Sequence, residues 1–270
     1  MPMTETAFAK INLALHVRAR RDDGYHELET LFAFVDNGDR LSASPAQEDS
    51  LQVVGEFAAG LSDPFGNLVA RSLSLLPHAQ GLSVTLDKRL PIAAGLGGGS
   101  ADAGAVFRLI EAQYGLPDDW RERAAKLGAD VPACVESLCC IGSGTGTDLK
   151  PIENDLRGVP VLLVNPRIAL PTGPVFAAWD GCDKGALPGG LPSQICRNGR
   201  NDLQDAAISI CPEIAEVLHD LQKGDAFCVR MSGSGATCFA LFENDEALHE
   251  MAGRLAETHP QWWQMTGYLR

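Results

Sequence analysis

The chain has 270 residues, 45% of them hydrophobic and 21% charged, which suits a globular protein that buries a core. With 22 Lys and Arg against 35 Asp and Glu, its net charge of −13 opposes long-range attraction to phosphate backbones and anionic membranes. No apolar run reaches the ~18–20 residues of a transmembrane helix, and the N-terminus lacks a basic stretch followed by a continuous apolar one. A nucleic-acid scaffold, a membrane protein and a secreted protein therefore rank below a cytoplasmic protein.

The first element expected is a half-buried strand over Phe8–Val17, with Ile11, Leu13, Leu15 and Val17 on one face and Lys10, Asn12, Ala14 and His16 on the other. Asp22-Asp23-Gly24 reads as a turn, Leu31–Val35 as an apolar run, and Asp36-Asn37-Gly38-Asp39 as a second turn. Strands are expected at Arg40–Ala43, Leu51–Val54 and Leu82–Leu86. Asn67 is placed to cap a helix carrying Val69, Leu73 and Leu76 on one side. A helix over Ser100–Tyr114 stops at Gly115, and a shorter one over Trp120–Leu127 stops at Gly128. Asp130 then stands near the N-cap of a new helix with Pro132 in its first turn. Gly142–Pro151 reads as a loop, Val159–Val164 as a buried strand, and residues 180–201 as a Gly- and Pro-rich loop. One helix is expected over Asp202–Leu221, then strands Phe227–Met231 and Cys238–Phe242 around the loop Ser232–Thr237, and a final helix over Glu246–Glu257. Trp262 and Trp263 read as packing residues. Strands and helices mix without a strict βαβ repeat, which points to an α+β protein in two halves divided near 150–158.

All eight cysteines lie between Cys134 and Cys238, with no C-x-x-C pair among them. A chain of this length with that distribution reads as carrying reduced, mostly structural thiols.

Gly95–Ser100 (GLGGGS) sets four glycines within six residues directly before a helix. Glycine removes side-chain bulk and admits positive φ, so successive N–H groups can converge on one anion, and the following helix adds its positive end. Ser100 could offer its hydroxyl to a phosphate or to Mg²⁺. The loop is neither a Walker A nor a G-x-G-x-x-G motif, because no Lys follows in register and position 100 is Ser. A second small-residue loop, Ser232–Thr237, is too long for a two-residue hairpin and suggests a second backbone surface around a polyanionic ligand.

The segments AKINLALHV, DGYHELETLF, LPIAAGLGGGSADA, LGADVPACV, NDLQ and RMSGSGATCFALF occur in an order that resembles the GHMP small-molecule kinases, over roughly residues 8–242. The glycine motif marks only that superfamily. AKINL, DGYHE and GADVP resemble the branch whose acceptor is the cytidine-diphosphate-linked sugar alcohol 4-diphosphocytidyl-2-C-methyl-D-erythritol, in non-mevalonate isoprenoid synthesis. The resemblance implies a ribosomal-protein-S5-like N-terminal domain (1–152) and a ferredoxin-like C-terminal domain (153–270). It implies transfer of the γ-phosphoryl group of ATP, with Mg²⁺, to the acceptor's 2-hydroxyl.

By position, Lys10 and Asp130 match the catalytic pair. Pro91, Ile92, Ala93, Ala94, Gly95, Leu96, Gly97, Gly98, Gly99, Ser100 and Ala101 match the ATP phosphate loop, with Asn67 and Lys88 on the nucleotide side. Asn12, Tyr25, His26, Thr172 and Phe176 match the acceptor site, where Tyr25 and Phe176 sandwich cytosine and His26 reads its polar edge. SADAG stands where an SSNAA-like run is frequent, and Gly146-Thr147-Asp148 where a G-E pair is common. A homoserine- or mevalonate-type kinase would keep both glycine loops but has no reason to keep Tyr25-His26 or Phe176. A non-catalytic nucleotide-binding protein has no reason to keep Lys10 with Asp130. An RNA-binding role, suggested by the S5-like half, is opposed by the net charge. No nucleic-acid, membrane or obligate protein partner is expected beside the small-molecule substrate.

Overall fold

A computed structural model of the chain describes residues 3–61 and 66–270. The fold is α+β, in two compact units interleaved along the sequence. The first comprises Met1–Lys10, Asn37–Ile92 and Gly97–Ser137, the second Ile11–Asp36, Ala93–Leu96 and Leu138–Arg270.

Two long strands, β1 (Met3–Arg20) and β2 (His26–Ala46), pair with each other, and each contributes one half to each unit. β1 is not half-buried as its alternation suggests. Ala7 and residues 9–17 are buried on both faces, Lys10, Asn12 and His16 included, so these polar groups need internal partners. The turn expected at Asp36–Asp39 is absent, and β2 runs straight through it. Gly38 allows this because a Cβ there would lie 2.0 Å from the Ala7 carbonyl oxygen, so only glycine lets β1 pass so close.

In the first unit the end of β2 pairs antiparallel with β4 (Gly81–Asp87), from Arg40 opposite Asp87 to Ala46 opposite Gly81, and β3 (Ser50–Val54) lies parallel to β4. Helix α1 (Leu68–Leu75) begins as expected at Asn67, whose Oδ1 accepts the Val69 N–H at 2.9 Å. The long helix α2 spans Gly98–Tyr114, two residues earlier than its sequence suggests, because its first turn is built from the glycines themselves. It packs against α3 (Trp120–Leu127) and α4 (Val131–Glu136). Close approach of α2 to α4 requires Gly104, where a Cβ would lie 2.4 Å from the Cys134 carbonyl oxygen.

In the second unit the start of β2 pairs with β5 (Cys140–Gly144), which turns into β6 (Asp148–Pro151). Gly142–Pro151 is thus mostly a hairpin and not a loop. A four-stranded antiparallel sheet follows, ordered β10 (Trp263–Tyr268), β7 (Pro160–Asn165), β9 (Cys238–Phe242), β8 (Ala226–Met231). Short α5 (Thr172–Ala177) precedes residues 180–201, which are not all loop: Pro192–Asn198 forms α6, with Pro at its first position. The single helix expected over 202–221 is two, α7 (Gln204–Ile210) and α8 (Glu213–Leu221), because Pro212 cannot continue the first. With α9 (Asp245–Thr258) they bury Leu203, Ile214, Val217, Leu248 and Met251 against Leu162, Val164, Ala240 and Phe242 of the sheet. Trp262 and Trp263 are both buried, the first stacked on His259 with ring centroids 3.7 Å apart. No helix among the described residues is long and apolar enough to cross a membrane.

Candidate active site

Lys10 lies midway along β1, its side chain almost fully buried, and its Nζ stands 3.1 Å from Asp130 Oδ2. Asp130 occupies the N-cap position of α4, yet its side chain accepts no backbone N–H there. The carboxylate is thus withdrawn from the usual duty of an Asp before a helix and given to Lys10, while its side chain stays 33% exposed. Arg108 of α2 fixes the two elements that present this pair. Its guanidinium donates to the Thr6 carbonyl of β1 at 2.7 Å, to the Cys134 carbonyl of α4 at 2.7 Å, and to Glu5 at 3.0 Å. Gly97 lies directly on the pair. A Cβ there would be 3.0 Å from Lys10 Cε and 3.7 Å from Asp130 Oδ2.

The backbone from Pro91 to Ala101 alternates in hand, with positive φ at Ala93 (50°), Gly95 (76°) and Gly97 (59°) before α2 begins. Alternation of this kind turns successive N–H groups toward one side and forms an anion-binding concavity. Ala93 is an L-residue held where glycine is preferred, a strain that marks functional loops. Ser100 stands in the first turn of α2, its Oγ 3.9 Å from where a Cβ on Gly128 would be. Asn67 caps α1 with its carbonyl oxygen. Lys88, placed on the nucleotide side by sequence, is buried between Asp39 and Asp102 at 2.5 and 2.6 Å. Neither acid stood out in the sequence. Asp39 looked like a turn residue, and the only signal for Asp102 was a lone charge in an otherwise apolar helix face.

In the second unit Asn12 is fixed from both ends. Its Nδ2 donates to Thr30 Oγ1 at 2.8 Å and its backbone N–H donates to Ser232 Oγ at 3.2 Å. Ser232 in turn donates to the Gly95 carbonyl at 2.8 Å, and the Thr237 N–H donates to that of Ala94 at 3.1 Å. The second glycine loop therefore braces Asn12 and the middle of the first. Gly95 is required at this contact, since a Cβ would lie 2.2 Å from the Ser232 carbonyl oxygen. Asn201, the first residue of NDLQ, to which the sequence assigns no role, holds the second loop by donating to the Met231 and Gly233 carbonyls, both at 2.8 Å.

Tyr25 projects from its turn with 64% of its surface exposed. His26, next to it, is buried with its ring 4.9 Å from that of Phe176 and edge-on to Trp179 at 5.6 Å. Burial, reinforced by the Arg20 guanidinium, holds the His26 imidazole below its ordinary range, so it is neutral near pH 7 and can both donate and accept. Thr172 opens α5, its hydroxyl 3.1 Å from that of Ser234.

Residues 67–137 match the family model described as the GHMP kinases N terminal domain, and residues 189–261 the GHMP kinases C terminal model. The 4-diphosphocytidyl-2-C-methyl-D-erythritol kinase of Novosphingobium aromaticivorans is 63% identical over 270 residues, covering 100% of this chain and 94% of that one. The enzyme of that name from Sphingopyxis alaskensis is 52% identical, covering 99% of both. A crystal structure of 4-(cytidine 5'-diphospho)-2C-methyl-D-erythritol kinase superposes with a TM-score of 0.83 at 34% identity over 99% of both chains. The homoserine kinase of Cytophaga hutchinsonii, at 16% identity and a TM-score of 0.69 over 98% of this chain and 95% of that one, shares the fold.

Proposed function

Because the chain belongs to the 4-diphosphocytidyl-2-C-methyl-D-erythritol kinases, a branch of the GHMP kinases, we propose that Lys10 and Asp130 form its catalytic pair. The enzyme transfers the γ-phosphoryl group of ATP to the 2-hydroxyl of 4-diphosphocytidyl-2-C-methyl-D-erythritol in isoprenoid synthesis. The observation that carries the residue assignment is the 3.1 Å pair itself, in which a partly exposed carboxylate at a helix start is turned to a buried ammonium and not to its own helix.

In the transfer the acceptor oxygen bonds to the γ-phosphorus, the bond from that phosphorus to the β,γ-bridging oxygen breaks, and ADP leaves. Such transition states are loose, so placing the reactants and neutralising charge account for most of the acceleration. Asp130 takes the proton lost by the 2-hydroxyl. Lys10 holds Asp130 in place and offsets charge on the phosphoryl oxygens. Pro91–Ala101 cradles the phosphates with its N–H groups and the N-terminus of α2, with Asn67 and Lys88 on the nucleotide side. Asn12, two residues from Lys10 on β1, leaves the strand on the same face and directs the acceptor. Tyr25 and Phe176 take cytosine between their rings, His26 pairs with its polar edge, and Thr172 lies beside them. A wrong base would leave the buried imidazole unpaired, which is how such a reader discriminates.

Mg²⁺ fits as an ion carried in with the nucleotide. It keeps most of its waters and takes few protein ligands, and no group of three or more metal-binding side chains stands together among the described residues. Ser100 Oγ would hold it, and it would neutralise phosphate charge. The two family matches fall on either side of 152/153, in support of two domains, although the compact units interleave and group residues 11–36, 93–96 and 138–152 with the C-terminal part. Eight unbridged cysteines and a net charge of −13 favour a cytoplasmic enzyme working on a small molecule without a nucleic-acid partner.

The test is Mg²⁺-dependent ADP release from ATP with 4-diphosphocytidyl-2-C-methyl-D-erythritol, beside homoserine and mevalonate. Release with the cytidyl acceptor alone, and a new phosphomonoester in the phosphorus NMR spectrum, is expected. Release with homoserine or mevalonate instead would overturn the acceptor assignment.

A further inference from the structure

Lys88 stands beside the glycine loop with two buried acids, Asp39 and Asp102, to which the steps above give no part. Lys88 follows β4 directly, and its Nζ donates to Asp39 Oδ2 at 2.5 Å and to Asp102 Oδ2 at 2.6 Å, all three side chains being at most 3% exposed. The second oxygen of Asp39 accepts the N–H groups of Arg89 and Leu90, at 2.6 and 2.8 Å, and these residues lead straight into Pro91. Asp102 lies at the far end of the loop, in the opening turns of α2, and its Oδ1 meets no hydrogen-bond partner among the described residues. A Cβ on Gly98 would stand 3.1 Å from Lys88 Nζ, so α2 begins directly over the ammonium.

Two acids and one ammonium in a dry interior are a poor source of stability. Apolar residues of the same volume commonly serve as well or better. What the triad supplies is geometry, because one ammonium grips both the start of the loop and the helix that ends it. Burial, with Asp39 adding to it and Lys88 opposing, pushes the Asp102 carboxyl up to about 8.

We propose that Asp39 and Asp102 are positioning residues for the nucleotide. By holding Lys88 between them they set the distance between residues 89–90 and the first turns of α2, and with it the alignment of the N–H groups that receive the phosphates. Lys88 then acts on ATP from below, through the loop. This rests on the reading of Pro91–Ala101 as the phosphate cradle.

Calorimetric titration with the non-hydrolysable analogue AMP-PNP and Mg²⁺ tests it without any acceptor. Wild-type protein that binds the analogue but, given ATP and 4-diphosphocytidyl-2-C-methyl-D-erythritol in the ADP-release assay, transfers no phosphoryl group would sink the acceptor assignment alone. Failure of the wild type to bind would overturn the cradle, and this proposal with it. Asp102→Ala and Asp39→Ala are each expected to weaken binding on the order of tenfold, the equivalent of one strong charged contact. Asp102→Asn, which keeps an oxygen for Lys88, is expected to recover most of the loss. The double variant Lys88→Met with Asp102→Ala should bind no more weakly than Lys88→Met alone, because the two residues act as one unit. Multiplying effects would mean that Lys88 reaches the phosphates by itself, and the proposal fails. Unchanged affinity with only a lower Tm would make the triad purely structural, and it fails again. If Lys88→Met does not fold, the contrast between Asp102→Ala and Asp102→Asn decides.

Discussion

Two lysines meet carboxylates beside the same glycine loop, within one compact unit, and they do so on different terms. Lys10 faces one acid, Asp130, whose side chain is 33% exposed and can be reached by a substrate. Lys88 faces two, Asp39 and Asp102, and none of the three is open to solvent. A proton acceptor has to be reachable and has to change charge without wrecking its surroundings, which the first arrangement allows and the second does not. A fixed brace has to resist rearrangement, and a desolvated, multiply bonded cluster does that. Under the proposed roles, exposure and stoichiometry, more than residue type, separate chemistry from scaffolding.

The comparison is sharpened most by Lys10→Ala. Loss of the group proposed to orient the base is expected to lower kcat by about 10²–10⁴-fold, with KM for ATP nearly unchanged, in a coupled ADP assay. Unchanged kcat would break the contrast at its first member. Next comes stability, where the order reverses. Lys88→Met leaves the buried Asp39 carboxylate without its cation and Asp102 without its donor, and is expected to cost about 3–5 kcal/mol in urea unfolding, whereas Lys10→Met leaves Asp130 free to meet water and is expected to cost about 1 kcal/mol.

Stability against pH gives the third contrast. The Asp102 carboxyl is raised from its ordinary 3.8 to about 8 in the folded protein, so the folded state binds that proton more tightly than the unfolded chain. The stability it lends is full below pH 4 and is lost as pH rises toward 8, at a slope of at most about 1.4 kcal/mol per pH unit for one proton. Asp102→Asn is expected to flatten the fall in Tm between pH 5 and 8. A profile identical to wild type would contradict the burial of a single shared cation between two acids.

Neighbouring glycines give the smallest and most local contrast. Gly97→Ala pushes a methyl against Lys10 Cε and holds an L-residue at φ 59°, and is expected to lower kcat on the order of tenfold. Gly98→Ala presses instead on Lys88 Nζ and is expected to raise KM for ATP by about threefold with little change in kcat. Steady-state kinetics of the two variants, side by side, would show whether adjacent residues report on different clusters.

Much of this was legible in the sequence wherever a local pattern carried it. Four glycines before an apolar helix marked the loop that leads into α2, Asn67 marked the start of α1, and two apolar stretches flanking Ser232–Thr237 located β8 and β9. The errors arose where the deciding contact is distant in sequence. Asp36–Asp39 looks like a turn because nothing local shows that Gly38 lies against Ala7 and that Asp39 turns inward to residues 88–90. β1 looks amphipathic because Lys10, Asn12 and His16 are polar, yet each is paired inside the protein by groups on other elements. Pro212 was in plain view, but the apolar periodicity on both sides of it argued for one helix. Asp39 and Asp102, 49 and 14 residues from Lys88, come together only in the fold, so no local pattern could have marked them as a unit.

The most direct test is a pair of ATP saturation curves, with the cytidyl acceptor held saturating, for Asp130→Asn and Asp102→Ala. Asp130→Asn is expected to lower kcat steeply at an unchanged KM for ATP, while Asp102→Ala raises KM for ATP and retains most of kcat. The reverse pattern, or the same change in both variants, would contradict the division of labour between the exposed pair and the buried triad.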